Sequence, residues 1–489
     1  NHFPGSAPAP DDPTEVHSAS INASVPAYWG QPVAFSSWPA RRPTGFYLSP
    51  GSIGQVTVPQ EIVDAGGYSV LVGAHTVDHE SRSEDPARRL HRVSKTFSIV
   101  NKVTPIANPL GGGVYILVPH KSNLGQLDIQ LSGVIKQPYF SLKESDNTTD
   151  QEWQERRTAP GPWAVFETDK YMLNVPRSWI YAFDNATSLM QNWDKAMDGV
   201  SELLGYPLIR NHKVLYMQVD VYLEHGAFGI GYPQINNTYN PREESNGNSY
   251  VWFLRDPTGS AVEFHELGHA QLMQGFWGEG EAIVNFPFSY ILNEKFGEDF
   301  DTAFQKTVSH ADYTVDDAAI HWMITENFRN GNPMDNSNTT LDEFRYQARG
   351  YAKYDDIARL FGWQALKNFF DQENLDFNEG TPTCFESPVC RDGLAQVDSR
   401  ILRLSKAANA DLTPLIHFWG VHPDNSTALA QAITAAGLDN STIVHDKLVY
   451  YAGIAPDNNT EFNAHFETVC PGRPTNCASP HYGCGWYNV

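Results

Sequence analysis

Short β-rich runs followed by helical patterns constrain the fold of this chain most strongly. Between Thr44 and Ile135, runs such as YSVLVGAHTV and GGGVYILVPH alternate with turns rich in Gly, Pro and Asn, which predicts a β-sandwich. After Ala159–Pro176 helical patterns take over. In Ala186–Gly205, for example, apolar residues recur every three or four positions and a glycine ends the pattern. The sequence therefore predicts an α+β multidomain chain, with an N-terminal β-sandwich followed by a mainly helical domain.

The same change of pattern places the predicted domain boundaries. Residues 1–43, rich in Pro, Ser and Ala, are expected to form a loosely ordered lead-in, and residues 44–176 the β-sandwich domain. Residues 177–430 are expected to form the helical domain, in which Lys213–Leu223 is a candidate strand. Residues 431–489 are expected to form a C-terminal cysteine-bearing segment.

Composition and charge limit the classes of partner. With 489 residues, 41% of them hydrophobic, the chain can fill several cores. The formal net charge of −23 argues against nucleic acid or an anionic membrane surface as the main partner. No run of about 18 or more apolar residues occurs, so no transmembrane segment is expected. The chain starts at Asn1 without a basic-then-apolar leader, so we expect any signal peptide to have been removed or to lie outside this sequence.

Glycosylation acceptors and cysteines indicate secretion. Asn-x-Ser/Thr acceptors, at which N-glycans are expected, occur from end to end of the chain, at Asn22, Asn147, Asn185, Asn236, Asn338, Asn425, Asn440 and Asn458. The five cysteines all lie in the last quarter, at Cys384, Cys390, Cys470, Cys477 and Cys484. Cys384 and Cys390 can close a short disulfide loop, and two of the other three can close a second one, which fits an oxidising compartment. Zinc binding by these cysteines is the alternative, although no Cys-x-x-Cys pair is present.

A capping-box pattern predicts the helix that carries a candidate metal site. Ser260 and Glu263 stand at the spacing S-x-x-E, so a helix is expected to begin here and to run until Gly275 ends it. His265 and His269 lie four residues apart and therefore share one face of this helix. Two imidazoles at this spacing can bind one metal ion. The alternative is a pair of hydrogen-bonded histidines inside a helix.

Glu266 completes the motif HExxH, in which a carboxylate can take a proton from a metal-activated water without binding the metal. The metzincin continuation is absent, because Leu272 and Gly275 occupy the positions where that class requires Gly and His. A catalytic zinc site needs a third protein ligand. Glu281, at the start of a predicted second helix, is the stronger candidate and Glu279 the weaker one. A glutamate as third ligand makes the site a gluzincin.

These residues resemble the enhancin-like, mucin-degrading gluzincins, peptidase family M60. The family signature is HExxH, a variable spacer, a glutamate and, four residues later, an asparagine, and here Glu281 and Asn285 occupy the last two places. GIGYPQ at Gly229–Gln234 resembles the family's GYP element, TGFYLSPG its preceding β-domain, and LFGWQALKNFF its closing helices. The resemblance covers roughly Thr44–Val421. It implies that residues 177–430 form a zincin catalytic domain.

The resemblance also implies an activity, zinc-dependent endopeptidase action on mucins or other O-glycosylated proteins. The expected cofactor is Zn2+, held by His265, His269 and Glu281, with Glu266 as the general base. Tyr232 in GIGYPQ is our candidate donor to the oxyanion, because a phenol donates a hydrogen bond without a change of charge. Packing at a strand turn is its alternative role. Asn285 either supports the site or makes a hydrogen bond within its helix.

Two other functions compete with a secreted zinc endopeptidase. A glycan-binding or adhesion protein with weak or no peptidase activity would predict the loss of Glu266 or of a zinc ligand, and all of these residues are present. An aminopeptidase-like gluzincin would need an anchor for the free amine of its substrate and a longer spacer before the glutamate. The resemblance implies a glycoprotein or mucin as the substrate.

Overall fold

The computed structural model describes most of the chain, and the ranges described are 3–25, 30, 38–77, 89–205, 215–222, 227–228, 234–236, 254, 257–259, 261–271, 280–307, 313–335, 348–378, 390, 392–438 and 440–469. The chain divides into two compact units. The first comprises Asn1–Tyr28, Phe35–Met197 and Ile209–Ala270, and the second Trp29–Ala34, Asp198–Leu208 and Gln271–Val489.

Two antiparallel sheets form the N-terminal part of the first unit. The four-stranded sheet has the order β1–β8–β3–β6, formed by His17–Ser24, Asn123–Ser132, Ile53–Thr57 and Val103–Ala107. The five-stranded sheet has the order β5–β4–β7–β2–β9, formed by Lys95–Ser98, Ser69–Val72, Gly112–Val118, Ala40–Leu48 and Ile135–Lys136. A short helix α1, Gln60–Ala65, follows β3.

One apolar core joins these two sheets. Ile21 and Ile129 of the four-stranded sheet belong to the same buried cluster as Val70 and Ile116 of the five-stranded sheet. Alternating strands such as β3 bury every second residue, as expected for a sheet with one face in water. The predicted β-sandwich is therefore confirmed. Strand β1 lies inside the stretch 1–43, for which the sequence suggested loose order, and it contributes Ile21 to this core.

A third, seven-stranded sheet packs on the outer face of the five-stranded sheet. Its order is β11–β10–β12–β13–β14–β16–β15, formed by Asp146–Asn147, Tyr139–Lys143, Trp163–Glu167, Tyr171–Pro176, Leu215–Asp220, Gln234–Asn236 and Ala227–Phe228. Leu71 and Tyr115 of the five-stranded sheet form one buried cluster with Val165 and Met172 of the seven-stranded sheet. Strand β7 therefore has apolar neighbours on both faces, which explains its nearly continuous apolar sequence.

A parallel strand pair explains the position of the first long helix. Strands β13 and β14 pair in parallel, and parallel neighbours need a crossover connection. Helix α3, Ala186–Leu203, lies in that connection. Gly205 ends the predicted helix and has a φ of 68°, a conformation that favours glycine. A Cβ at this position would also lie 3.0 Å from the Asp371 backbone, so there is no room for a larger residue.

The described residues beyond Gly280 contain helices and no strand. The other helices of the described residues, α2 and α4 to α16, are Asp150–Arg156, Ala261–Gln271, Gly280–Ile283, Phe286–Tyr290, Phe300–Thr307, Val315–Met323, Glu326–Arg329, Ala348–Phe361, Trp363–Asn378, Gln396–Ala408, Thr413–Phe418, Ser426–Ala435, Thr442–Ile454 and Asn459–Val469. Short 3-10 turns occur at Arg177–Trp179 and Pro257–Gly259, and a π-helical turn at Ile291–Lys295.

The predicted fold class, a β-rich N-terminal region followed by a mainly helical part in a multidomain α+β chain, is confirmed. The candidate strand in Lys213–Leu223 is β14. The predicted domain boundaries stay predictions. Across the described ranges, every helix is too short or too polar to cross a membrane.

Candidate metal centre

Helix α4, Ala261–Gln271, carries the HExxH motif and has two distinct faces. Phe264 and Leu267 are buried, at 3% and 1% exposure. His265, Glu266 and His269 are half-buried. One face of the helix therefore packs into the first unit, while the motif side chains keep access to solvent. The helix begins one residue after Ser260, which itself lies outside the described residues, as does Gly275.

The two histidine rings are neighbours, as the spacing predicts. The ring centroids of His265 and His269 lie 4.9 Å apart, with an angle of 87° between the ring planes. Imidazole nitrogens on adjacent turns can reach one metal ion from one side. Glu266 precedes the second histidine by three residues and shares the half-buried side of the helix. This donor set of two imidazoles beside a carboxylate suits zinc chemistry.

A stack of three aromatic rings holds α4 against the sheet. Phe264 of α4 stacks on Trp193 of α3, with centroids 5.3 Å apart and ring planes at 20°. Trp193 stacks in turn on Tyr171 of β13, at 4.3 Å and 12°. Because Tyr171 belongs to a central strand of the seven-stranded sheet, the position of the histidine pair is tied to that sheet by flat, buried contacts.

Glu263 occupies the buried face of α4. Its side chain is 2% exposed, and its Oε2 atom has no hydrogen-bond partner among the residues that the structure describes. Burial raises the pKa of Glu263 to about 7. The capping-box pattern assigned this residue only to the start of the helix. The sequence does contain a pattern that predicts its burial, because Glu263, Leu267 and Ala270 stand at i, i+4 and i+7 and therefore share one helix face, and the last two are buried.

The structure places the remaining predicted site residues only in part. The backbone of Glu281 lies in α5, Gly280–Ile283, and its side chain lies outside the described part of the chain. Tyr232 and Glu279 also lie outside it. Within the described residues, no three His, Cys, Asp or Glu side chains form a group that could hold a metal ion. The third ligand and the oxyanion donor therefore remain predictions.

Asn285 lies between helices α5 and α6, and it is 6% exposed. Its Nδ2 atom donates to the backbone oxygen of Ala282 at 3.1 Å. This contact links it to the turn that contains Glu281. A hydrogen bond of this kind fits both of the roles expected for Asn285.

Comparison with known families agrees with this architecture. The motif HExxH on a helix is typical of zinc metallopeptidases. A family model described as the N-terminal domain of M60-like peptidases matches residues 15–132, and one described as peptidase M60, enhancin and enhancin-like, matches residues 133–420. The second match covers more than half of the chain. The chain therefore belongs to the peptidase M60, enhancin and enhancin-like family, and the resemblance found in the sequence is confirmed.

Individual relatives match more distantly. TRPM8 channel-associated factor 3 of Rattus norvegicus is 30% identical over 193 residues, which are 39% of this chain and 20% of that protein. Curated relatives are matched over 20% to 38% of their own length.

Two solved structures show the same fold at low sequence identity. A functionally unknown conserved protein from Bacillus anthracis has 15% identity and a TM-score of 0.61, over 88% of this chain and 81% of that one. IMPa from Pseudomonas aeruginosa, solved in complex with an O-glycopeptide, has 14% identity and a TM-score of 0.58, over 89% of this chain and 52% of that one.

Proposed function

We propose that this chain is a zinc-dependent endopeptidase that hydrolyses peptide bonds in mucin-type O-glycosylated proteins. The observation that carries the proposal is the pair of adjacent imidazoles, His265 and His269, beside Glu266 on the half-buried side of α4. Family membership supports peptidase chemistry. The O-glycopeptide bound to the structural neighbour IMPa supports the substrate class.

We assign the zinc ligands to His265, His269 and Glu281. The donor set fits, because two neutral imidazoles and one carboxylate are a common catalytic zinc shell that leaves a fourth position open. The aromatic stack under α4 holds the histidines in place before the metal binds. Such preorganisation reduces the cost of assembling the site.

Each group of the proposed site has a separate role in hydrolysis. Zinc, when bound, polarises the scissile carbonyl and lowers the pKa of water. Glu266 accepts the proton from the attacking water and delivers it to the departing amine, so that the amine leaves neutral. Tyr232 donates a hydrogen bond to the oxyanion that forms on the carbonyl oxygen. Each of these groups acts without a net change of charge on the protein over the cycle.

We further propose that the protein is secreted and carries N-glycans. Among the described acceptors, five asparagines are exposed, namely Asn147, Asn185, Asn425, Asn440 and Asn458. Cys390 is disulfide-bonded, which fits an oxidising compartment. Its predicted partner Cys384 lies outside the described residues.

Digestion of a heavily O-glycosylated mucin, before and after enzymatic removal of its glycans, tests the activity. Chelator-sensitive cleavage of only the glycosylated form is the expected result. Cleavage of both forms would indicate a general zinc endopeptidase. If a zinc-loaded, folded protein cleaved neither form yet bound the mucin, a glycan-binding protein would be the better description.

Two variants test the assigned roles. Glu266→Gln should bind zinc with wild-type stoichiometry and lose activity by a factor on the order of a thousand or more, because only the proton acceptor is removed. His265→Ala should lose zinc as well. His417→Ala removes an exposed imidazole elsewhere and is the control, with unchanged zinc content. Wild-type cleavage by Glu266→Gln would refute the mechanism.

A further inference from the structure

Residues 3–8 belong to neither a helix nor a strand, yet they are closely attached to the first unit. Pro4 is buried, and Phe3 and Gly5 are half-buried. Side chains of three residues that are distant in the sequence donate hydrogen bonds to carbonyl oxygens of this segment. The segment precedes the regions matched by the family models, the first of which begins at residue 15. Family membership therefore does not account for its attachment.

Backbone carbonyl groups hold the segment in place. Three hydrogen bonds run from side chains to these oxygens, namely from Trp163 Nε1 to Pro4 at 2.6 Å, from the Tyr47 hydroxyl to Gly5 at 3.2 Å and from Ser49 Oγ to Pro8 at 2.5 Å. A proline has no N–H group, so the burial of Pro4 leaves no backbone donor without a partner. Proline-rich segments typically bind in grooves lined by aromatic side chains. The segment is therefore bound in the way that a peptide ligand is bound.

The ring of Phe3 is contacted by three further groups. Its centroid lies 4.5 Å from that of His75 and 5.8 Å from that of Trp163, and both contacts are edge-on. The Arg89 guanidinium lies 5.5 Å from the same centroid. His75, Arg89 and Trp163 are buried, with exposures of 1%, 5% and 6%. We refer to the residues that contact the segment as the N-terminal groove, namely Tyr47, Ser49, His75, Arg89 and Trp163.

The groups around Phe3 are fixed by contacts of their own. Arg89 Nε and Nη2 donate to the two carboxylate oxygens of Asp220, at 2.8 and 2.7 Å. His75 Nε2 lies 2.8 Å from the Val219 oxygen, so this nitrogen carries the proton and donates. Burial lowers the pKa of His75 to about 4, and the ring is therefore neutral at pH 7. The surroundings of the Phe3 ring are preorganised, which favours binding.

The first three residues of the segment meet separate requirements. The Phe3 ring fills the space between the buried groups. Gly5 has a φ of 143°, which favours glycine, and a Cβ there would lie 2.9 Å from the Pro162 Cβ. By contrast, Ser6 and Pro8 are exposed. The groove therefore fits an aromatic residue followed by proline and glycine, and it places fewer demands on the side chains that follow.

The N-terminal groove is formed by both of the regions that the family models match. Tyr47 belongs to β2 and Ser49 directly follows that strand, so both lie in the N-terminal region. Trp163 is the first residue of β12 and lies in the peptidase region. A segment bound to all three residues therefore joins the N-terminal β-domain to the seven-stranded sheet.

An exposed connection separates the segment from strand β1. Residues 11–16 are all exposed. The Asp12 carboxylate accepts hydrogen bonds from the backbone N–H and the hydroxyl of Thr14, at 2.8 and 2.6 Å, so the turn here is local. A short connection of this kind raises the effective concentration of the segment at the groove. Segment and groove are thus related as a ligand and a receptor on one chain.

We propose that the N-terminal groove is a recognition site for an aromatic–proline–glycine peptide, and that residues 3–8 occupy it as an intramolecular ligand that fastens the β-domain to the peptidase sheet. This role goes beyond the peptidase activity and does not depend on it. Ordinary packing of a chain segment differs in one respect, because a surface of that kind would not bind the segment again after the two were separated.

The test uses the full chain with a site for a specific protease inserted between Pro10 and Asp11, in the exposed connection. The folded protein is cleaved and the released segment is removed by gel filtration. A synthetic peptide of residues 1–10, with a dye at its C-terminal end, is then titrated by fluorescence anisotropy. We expect saturable binding at one site, with a dissociation constant in the micromolar range. The uncleaved protein, whose groove is filled, should bind the peptide about tenfold more weakly or less.

Changes in the peptide identify the contacts. Phe3→Ala removes the ring, and Gly5→Ala adds the methyl group that approaches Pro162, so each should weaken binding about tenfold or more. Ser6→Ala changes an exposed side chain and is the control, with binding within about twofold of the original peptide. In the protein, Trp163→Phe keeps a ring and removes the donor to the segment, and it should weaken binding about threefold or more.

Thermal unfolding supplies a second measurement. The cleaved protein without its segment should unfold at a lower temperature than the uncleaved protein, and saturating peptide should recover the difference. If removal of the segment unfolds the protein, circular dichroism shows whether added peptide restores the fold. The Ser6→Ala peptide should act like the original one, and the Phe3→Ala peptide should have little effect.

Three results would each overturn the proposal. They are a folded, segment-free protein that binds no peptide, equal binding of the Phe3→Ala and Ser6→Ala peptides, and a peptide that recovers neither the fold nor the unfolding temperature. The measurements involve neither zinc nor peptide-bond cleavage. Their outcome is therefore independent of whether the protein cleaves a glycoprotein.

Discussion

The second unit buries acidic side chains as well as apolar ones. Asp355 and Asp356 are neighbours on α10, Ala348–Phe361, and are 1% and 0% exposed. Ser289 donates a hydrogen bond to Asp355. Burial is the main reason that the pKa of Asp355 is raised to about 7, with a smaller contribution from the charge of Asp356.

This raised pKa predicts a pH dependence of stability. The unfolded Asp355 carboxyl titrates near pH 4, so between about pH 4 and pH 7 the folded state binds more protons than the unfolded state. Its contribution to the free energy of unfolding is therefore complete below pH 4 and is lost as the pH rises through 7. Asp355→Asn should remove this loss. Relative to wild type, it should gain on the order of 2–4 kcal/mol between pH 5 and pH 8.

Urea unfolding of wild type and Asp355→Asn at the two pH values measures the difference. The exposed Asp64→Asn is the control, and its pH dependence should match wild type. Parallel pH dependence in wild type and Asp355→Asn would contradict the raised pKa.

Elements of this fold differ in how far the sequence alone predicts them. The HExxH helix and α3 follow from local spacing, and the adjacent His265 and His269 rings follow from one helical turn. The pairing of β13 with β14 could not be derived in this way, because a helix separates the strands. Likewise, Arg89 and Asp220 are 131 positions apart, and each alone has the pattern of an ordinary surface residue. The topology of the fold decides which buried charges meet, and local sequence periodicity carries no information about such long-range pairs.

The aromatic stack predicts a link between α3 and the metal centre. Trp193→Ala should reduce the free energy of unfolding by about 3–5 kcal/mol. Because the ring lies between Tyr171 and Phe264, the variant should also lose zinc to a chelator faster than wild type. Trp153→Ala removes an equally buried tryptophan from α2 and is the matched control.

Both variants are compared by guanidinium unfolding and by zinc release to a coloured chelator. Similar destabilisation with faster zinc release only in Trp193→Ala is the expected result. Equal release rates in the two variants would mean that the stack stabilises the unit without orienting the histidines.

At the scale of the whole molecule, packed helices continue beyond the C-terminal end of the family match. The peptidase model ends at residue 420, yet helix α15, Thr442–Ile454, completes a buried site in the preceding region. Asp356 accepts from Trp419 Nε1 at 2.9 Å and from the Tyr451 hydroxyl at 2.5 Å, and Lys447 lies 3.7 Å away. A buried carboxylate needs these partners, because it cannot be solvated by water.

Two neighbouring tyrosines test this dependence. Tyr451→Phe leaves Asp356 with one hydrogen-bond donor fewer and should reduce the free energy of unfolding by about 1–3 kcal/mol. Tyr450→Phe removes a hydroxyl that donates to Asp316 at 2.7 Å from a ring that is 47% exposed. This control should cost about 1 kcal/mol or less. Thermal unfolding measures both, and equal costs would place the stabilising contacts of α15 elsewhere.

Arg89 and Asp220 form a buried ion pair, with Nη2 of Arg89 2.7 Å from Oδ2 of Asp220. This pair limits how the two regions that contain these residues can be exchanged during evolution. Arg89 lies in the region matched by the N-terminal family model, and Asp220 lies in the region matched by the peptidase model. Replacing either residue alone leaves the other as a buried charge without its counter-ion, which is destabilising. A recombination event that supplied a different β-domain would therefore have to bring a matching cation with it. The two regions are expected to descend through evolution as one indivisible module, with changes at one position accompanied by changes at the other.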